Sequence, residues 1–226
     1  MSHLINIFLE PGKVFTELKE KPTFLLPLAL VSLTMAALYF IYFMKVDSAW
    51  FIDNMLLAGG KEMSAAEMAQ AKSVFPSAKV MGYIATVTTP IAIVIVTLLM
   101  ALYYFVAGKV TGSLIGFKQG ISLASWSSMP MLLGAIVALV GVFMMSPQTS
   151  LESLMLTNLD PLLLQLPIDS PWKKLASAFS LLTFWSLFLT ATGWKIWGKT
   201  SWAEAIMVAI IPSIVIYGAM ALWALI

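Results

Sequence analysis

Apolar residues in this chain do not alternate with polar ones; they run together. Five continuous apolar stretches cover 24–44, 80–107, 121–145, 175–194 and 205–226, and none contains Asp, Glu, Lys or His. Each is about the 20 residues that a helix needs to cross a bilayer. Membrane β-strands would show a period of two, so the stretches predict helices. The expected fold is an all-α integral membrane protein, a single membrane domain over 1–226 with five transmembrane helices.

The segment 1–23 follows another pattern. Leu4, Ile5 and Phe8, then Val14, Phe15 and Leu18, recur at helical spacing. Lys13 and Glu17 are spaced to pair at i, i+4 on the opposite face. This predicts a short amphipathic helix over 4–20, lying on the cytoplasmic membrane surface or packed on the bundle; either placement buries the same face. Two longer connections follow. In 45–79, Gly59-Gly60 marks a turn, and Ser64-Ala65-Ala66-Glu67 is a capping-box pattern that opens a short helix through about Ser73. In 146–174, apolar Leu151, Leu154, Met155 and Leu159 and the leucines at 162–164 are interrupted by Pro161 and Pro167. The region 151–166 is too short and too broken to span, so it predicts an interfacial segment or a lid over one end of the bundle.

Composition agrees with lipid as the surrounding solvent. The hydrophobic fraction is 60% and the charged fraction 11%, against about 25% charged in soluble chains. Mean hydropathy is +0.92. All 13 basic residues are Lys and net charge is +2, so neither arginine's bidentate fork nor a strong positive field is present to hold nucleic acid. The chain has no cysteine, hence no thiolate or disulfide framework. The one histidine, His3, reads as a solvated terminal residue. No catalytic, cofactor-binding or metal-ligating set can be assembled from this inventory, and no enzyme activity is expected. With no titratable group inside a predicted span, proton-coupled transport is disfavoured. No phosphate-binding loop is present either. The segment 1–23 mixes Lys with Glu and holds Pro11 and Pro22, so no cleavable signal is expected.

Lysine placement around the two short connections, 108–118 and 195–201, predicts a cytoplasmic N-terminus and an external C-terminus in a cell (inner) membrane. Lys109, Lys118, Lys195 and Lys199 gather on the cytoplasmic face. Ordinary positive-inside sorting accounts for them, and contact with anionic lipid or a partner is compatible with it. Pro90, Pro130 and Pro212 interrupt three spans and predict kinks, through packing geometry or as hinges. Thr86, Thr88 and Thr89, and Ser122, Ser125, Ser127 and Ser128, precede two of them. These hydroxyls can satisfy freed carbonyls, bond between helices or line a polar path. Gly134, Ala138 and Gly141 form a smooth stripe suited to close helix approach, within the chain or in a homo-oligomer. Tyr103, Tyr104, Trp172, Trp185, Trp194, Trp197 and Trp202 fit an aromatic belt.

Two helical hairpins look alike, as parallel pseudo-repeats. Each descending helix ends in aromatics and a Gly-Lys turn, at Gly108-Lys109 and Gly198-Lys199. Each ascending helix opens with an aromatic three positions before a small residue, Phe117 to Gly120 and Trp202 to Ala205, and carries Pro130 or Pro212. The run Gly108, Gly112, Gly116, Phe117, Lys118, Gln119, Gly120, followed by a Ser/Ala-rich helix with Pro130, resembles the Yip domain family, named for Rab/Ypt-interacting proteins. The opening Phe8-Leu9-Glu10-Pro11, with Pro22 and Pro27, is similar to its bacterial members. The resemblance implies five membrane helices and a cytosolic N-terminus. In eukaryotic members it implies Rab binding through a cytosolic arm, which is not expected here from the short segment 1–23. Bacterial members encoded beside ABC exporters imply an accessory role. The expected function is a non-catalytic membrane scaffold or accessory subunit that binds other membrane proteins or organises membrane lipid. The alternative is a transporter or channel for a lipid-like or apolar solute.

Overall fold

A computed structural model describes residues 2–59 and 64–225. Its elements in chain order are α1 (Ser2–Leu9), α2 (Pro11–Glu20), α3 (Leu25–Lys45), α4 (Ser48–Ala58), α5 (Ala65–Val74), α6 (Ala78–Thr111), α7 (Phe117–Ser127), α8 (Met129–Met144), α9 (Leu151–Leu154), a π-helical turn (Asp160–Leu164), α10 (Lys173–Ala178), α11 (Leu182–Gly198) and α12 (Trp202–Ala224). The one β-type contact among the described residues is an isolated bridge between Asn158 and Ser180.

Four segments are long and apolar enough to cross a membrane: α3, α6, the α7–α8 run Phe117–Met144, and α12. They match the first, second, third and fifth predicted stretches; Ile226, at the end of the last, lies outside the described residues. Pro130 sits in the first turn of α8, after a one-residue break at Ser128. There its missing N–H costs no helical bond. Pro90 and Pro212 lie inside continuous helices.

The fourth predicted stretch, 175–194, is not a single helix. The chain breaks at 179–181, leaving α11 with 17 residues, about 25 Å long at 1.5 Å per residue. Long-range bonds cause the break. Leu181 N–H donates to the Thr157 carbonyl at 2.9 Å, and Leu159 N–H donates to the Phe179 carbonyl at 2.8 Å. The Ser180 hydroxyl donates to the Thr157 carbonyl at 3.2 Å. Backbone groups committed there are unavailable to a helical ladder.

The amino-terminal segment is two helices rather than one. Proline disfavours helical geometry in the residue before it, and Glu10, before Pro11, has φ −134° and ψ 57°. Ile7, Val14, Phe15 and Leu18 are buried against Leu123, Trp126, Trp194 and Trp197, so the apolar face packs on the bundle. Trp197 Nε1 donates to the Phe15 carbonyl at 2.6 Å. Lys19 Nζ donates to the carbonyls of Ile196 and Trp197 at 3.3 and 3.1 Å, capping α11. The fold-back at Glu10 also changes the expected pairing. Glu17 meets His3 at 2.6 Å, while Lys13 meets Glu10 at 3.8 Å. His3 is thus tied down, with its ring edge-on to Trp126 at 5.8 Å. Its hydrogen bond holds the Glu17 carboxyl below the ordinary carboxylate range.

The face carrying α1 and α2 is called the near face below. It also holds the turns after Gly112 and Lys199, both left-handed, with φ 75° and 53°. The far face holds α4, α5, α9 and the loop through the π-turn. On it, Asp47 caps α4 by accepting Trp50 N–H at 2.7 Å, and the Ser64–Glu67 capping box is formed. Gly59 lies in a turn; Gly60, Lys61 and Glu62 lie outside the described residues. Two buried clusters organise the bundle. One is centred on Phe15, Leu123, Trp126, Trp194 and Trp197; the other, toward the far face, on Leu38, Tyr42, Phe43, Ala138 and Val142.

The bond from Trp197 to Phe15 gives a local test. Trp197→Phe keeps the buried ring but removes the N–H donor to Phe15. We expect a loss of about 1–2 kcal/mol, with faster hydrogen exchange over 11–20.

Candidate functional site: a cavity between two helices

A cavity of about 690 Å³ lies between the two buried clusters. Its walls are Thr89, Ala92, Val96 and Thr97 of α6, Ser127 and Met131 of the α7–α8 run, Ser186 and Thr190 of α11, and Pro212, Ser213 and Tyr217 of α12. The lining is mainly apolar, with scattered hydroxyls. Ligand pockets of this size are concave and mostly apolar, with a few polar groups that fix orientation.

The floor follows from proline chemistry. Pro212 has no N–H to bond the Val208 carbonyl one turn earlier. Tyr103 OH of α6 donates to that carbonyl instead, at 2.8 Å. This joins α6 and α12 toward the near face, with Tyr104 and Trp194 packed beside it, ring centroids 6.2 Å apart. Beyond the bond α6 and α12 stand apart, with the cavity between them. Tyr103→Phe should strand the Val208 carbonyl in an apolar setting and cost about 1–3 kcal/mol. Thermal denaturation in detergent would register the loss.

The roof is the far-face loop, which contributes Met155, Thr157, Asn158, Ala178 and Ser180. One buried carboxylate pins it. Asp160 Oδ2 receives Lys173 Nζ at 2.5 Å, and Oδ1 receives Leu166 N–H at 2.8 Å. Lys173 Nζ also donates to the Leu166 carbonyl at 3.0 Å. Burial alone would raise the Asp160 carboxyl pKa. The bonds from Lys173 and Leu166 outweigh it and hold the group below its ordinary 3.8.

Several residues singled out in the sequence meet here: Thr89, Tyr104, Ser127, Ser128, Gly134 and Pro212 all line the cavity. Thr86 and Thr88 do not. Each hydroxyl donates to its own helix one turn back, to Gly82 O at 2.7 Å and Ile84 O at 2.9 Å. Ser122 bonds across to the Thr23 carbonyl at 2.8 Å. The Ser127 and Ser186 hydroxyls are buried and have no partner among the described residues. Gly134, Ala138 and Gly141 face this chain's own elements. A Cβ at Gly134 would stand 2.8 Å from Thr157 Oγ1, and one at Gly141 would stand 3.3 Å from Leu154 Cδ2. Ala138 is buried with Leu38 and Tyr42.

The near-face lysines lie away from the cavity. Lys109 sits over the Phe105 ring at 4.5 Å and Lys195 over Trp202 at 5.4 Å; Lys118 and Lys199 are exposed. The sequence reading missed Tyr39, Met100, Asn158, Ser186 and Tyr217 as cavity residues, and no local pattern marks them. No group of three or more His, Cys, Asp and Glu able to hold a metal occurs among the described residues.

Comparison with known proteins gives one match: the family model for the Yip1 domain covers residues 5–224. Neither the curated proteins nor the solved structures yield a significant match.

Proposed function

The chain belongs to the Yip1 domain family, and from that premise we propose that it is a non-catalytic membrane protein that organises lipid, holding an apolar or amphipathic chain between α6 and α12. The cavity carries this reading: about 690 Å³, apolar with sparse hydroxyls, and roofed by a loop pinned through Asp160. In this reading α10 and α11 together make a fifth pass, the near face is cytoplasmic and the far face external. Near-face Lys109, Lys118, Lys195 and Lys199 then meet anionic headgroups or a partner. The Tyr103–Val208 bond closes the cavity toward the near face, which favours holding a chain over passing it through.

The test is native mass spectrometry of protein extracted gently from its own membranes. Retained lipid, lost at least fivefold in the cavity-filling pair Ala92→Trp and Ser213→Phe, is the expected result. An empty protein recovered with a stoichiometric membrane partner would move the function to an accessory subunit and set the lipid reading aside.

A further inference from the structure

A second cleft, also about 690 Å³, opens on the far face between α4, the 150–171 loop, α10 and the end of α12. It differs from the cavity in chemistry. Glu152, Asp169, Lys173 and Lys174 line it, together with Ser170 and Trp223. Lys173 is committed to Asp160. Glu152, Asp169 and Lys174 form no ion pair among the described residues. Among the described residues the cleft thus presents two carboxylates and one ammonium that no ion pair engages.

Its position relative to the cavity is informative. Ala178 lines both. Along α12, Pro212 and Tyr217 face the cavity, and Trp223 faces the cleft. From Trp223 to Pro212 is about 16 Å of helix. That is close to half of a hydrocarbon core about 30 Å thick, the depth of one leaflet.

We infer that the far-face cleft seats the headgroup of a phospholipid whose chain enters the cavity, and that the headgroup is a zwitterion with a primary ammonium, of the phosphoethanolamine type. The inference rests on the lipid-holding reading above. The ammonium lies between Glu152 and Asp169, donating N–H bonds to both carboxylates. The phosphate lies against Lys174, with the Ser170 hydroxyl as a further donor. Charge-assisted bonds of this kind are the strong ones. A trimethylated ammonium has no N–H to donate. A headgroup that is only anionic would meet two carboxylates and one ammonium.

The experiment reconstitutes the full chain in nanodiscs containing equal phosphatidylethanolamine, phosphatidylcholine and phosphatidylglycerol, then counts retained lipid by native mass spectrometry. Phosphatidylethanolamine should be retained about tenfold over each of the others. Glu152→Gln with Asp169→Asn should abolish that preference, Lys174→Gln should weaken retention of both zwitterionic lipids, and near-face Lys21→Gln, at an exposed lysine with no assigned contact, should change nothing. All four substituted side chains are exposed, so loss of fold does not confound the result. Lipid retained without headgroup preference, or a preference unmoved by the carboxylate variants, would overturn the inference and leave the lipid-holding reading intact. Retention of no lipid at all would overturn both.

Discussion

Lys173→Ala is expected to destabilise the far-face loop by about 3 kcal/mol, because it leaves the Asp160 carboxylate buried with no countercharge. Asp160 is 3% exposed at its side chain and Lys173 is 28% exposed, so the two ends of the pair are not equivalent. Without Asp160 the ammonium can turn to water; without Lys173 the carboxylate cannot. Lys173→Ala should therefore cost more than Asp160→Asn, whose amide oxygen still accepts from Leu166 N–H. The double variant should recover part of the Lys173→Ala loss. Hydrogen exchange over 155–181 would resolve the three. The same pair sets a pH dependence. The folded-state pKa of Asp160 is depressed below 3.8, so its stabilising contribution is fully present above that value. It disappears as pH falls through the lower folded-state value. The loop should loosen under acid below about pH 4 while α3, α6 and α12 hold; equal loosening of all of them would contradict this.

Gly120→Val is expected to be at least as damaging, at about 3 kcal/mol or more. A Cβ at Gly120 would lie 2.8 Å from the Ala101 carbonyl oxygen, 3.1 Å from its Cα and 3.3 Å from its carbonyl carbon. Those atoms are backbone and cannot rotate aside, so α7 would have to leave α6. Gly193 offers a contrast. A Cβ there would meet Leu123 Cδ1 at 2.4 Å and Phe15 Cδ1 at 3.0 Å, both side-chain atoms that can yield. Gly193→Ala should then be milder than Gly120→Ala. Equal loss in the two, read by denaturant titration in detergent micelles, would mean that the α6–α7 approach is softer than its distances imply.

The long apolar runs were legible because lipid imposes one rule on every exposed position. Runs at 24–44 and 80–107 became α3 and α6 with shifts of a few residues. Local chemistry was legible as well: Ser64 and Glu67 form their capping box, which needs only neighbours. What failed depended on partners far along the chain. Ser180 breaks the fourth run because Thr157 and Asn158 receive it, and nothing within 175–194 marks that. His3 reads as a terminal residue until the turn at Glu10 returns it to Glu17. Asp160, a lone acid amid leucines, was a visible signal that something must neutralise it, but its partner stands 13 residues on. The cavity was least legible. Thr89, Ser127 and Ser128 were noted as hydroxyls near prolines, yet their convergence depends on where α6 and α12 separate, which is a property of the assembled bundle.

The shortness of α11 bears on where in a cell such a protein would settle. A helix about 25 Å long falls several ångströms short of the average hydrocarbon thickness. In the proposed fifth pass, α10 and the flanking aromatics make up the difference or the bilayer beside α11 dimples, at a fraction of a kcal/mol for each ångström. Thin membranes relieve that mismatch and thick, sterol-rich ones aggravate it. With the fifth pass as proposed, the break at Ser180 does more than shape a roof: it gives the bundle one side whose continuous helix is short, a gauge by which membrane thickness alone directs its partitioning.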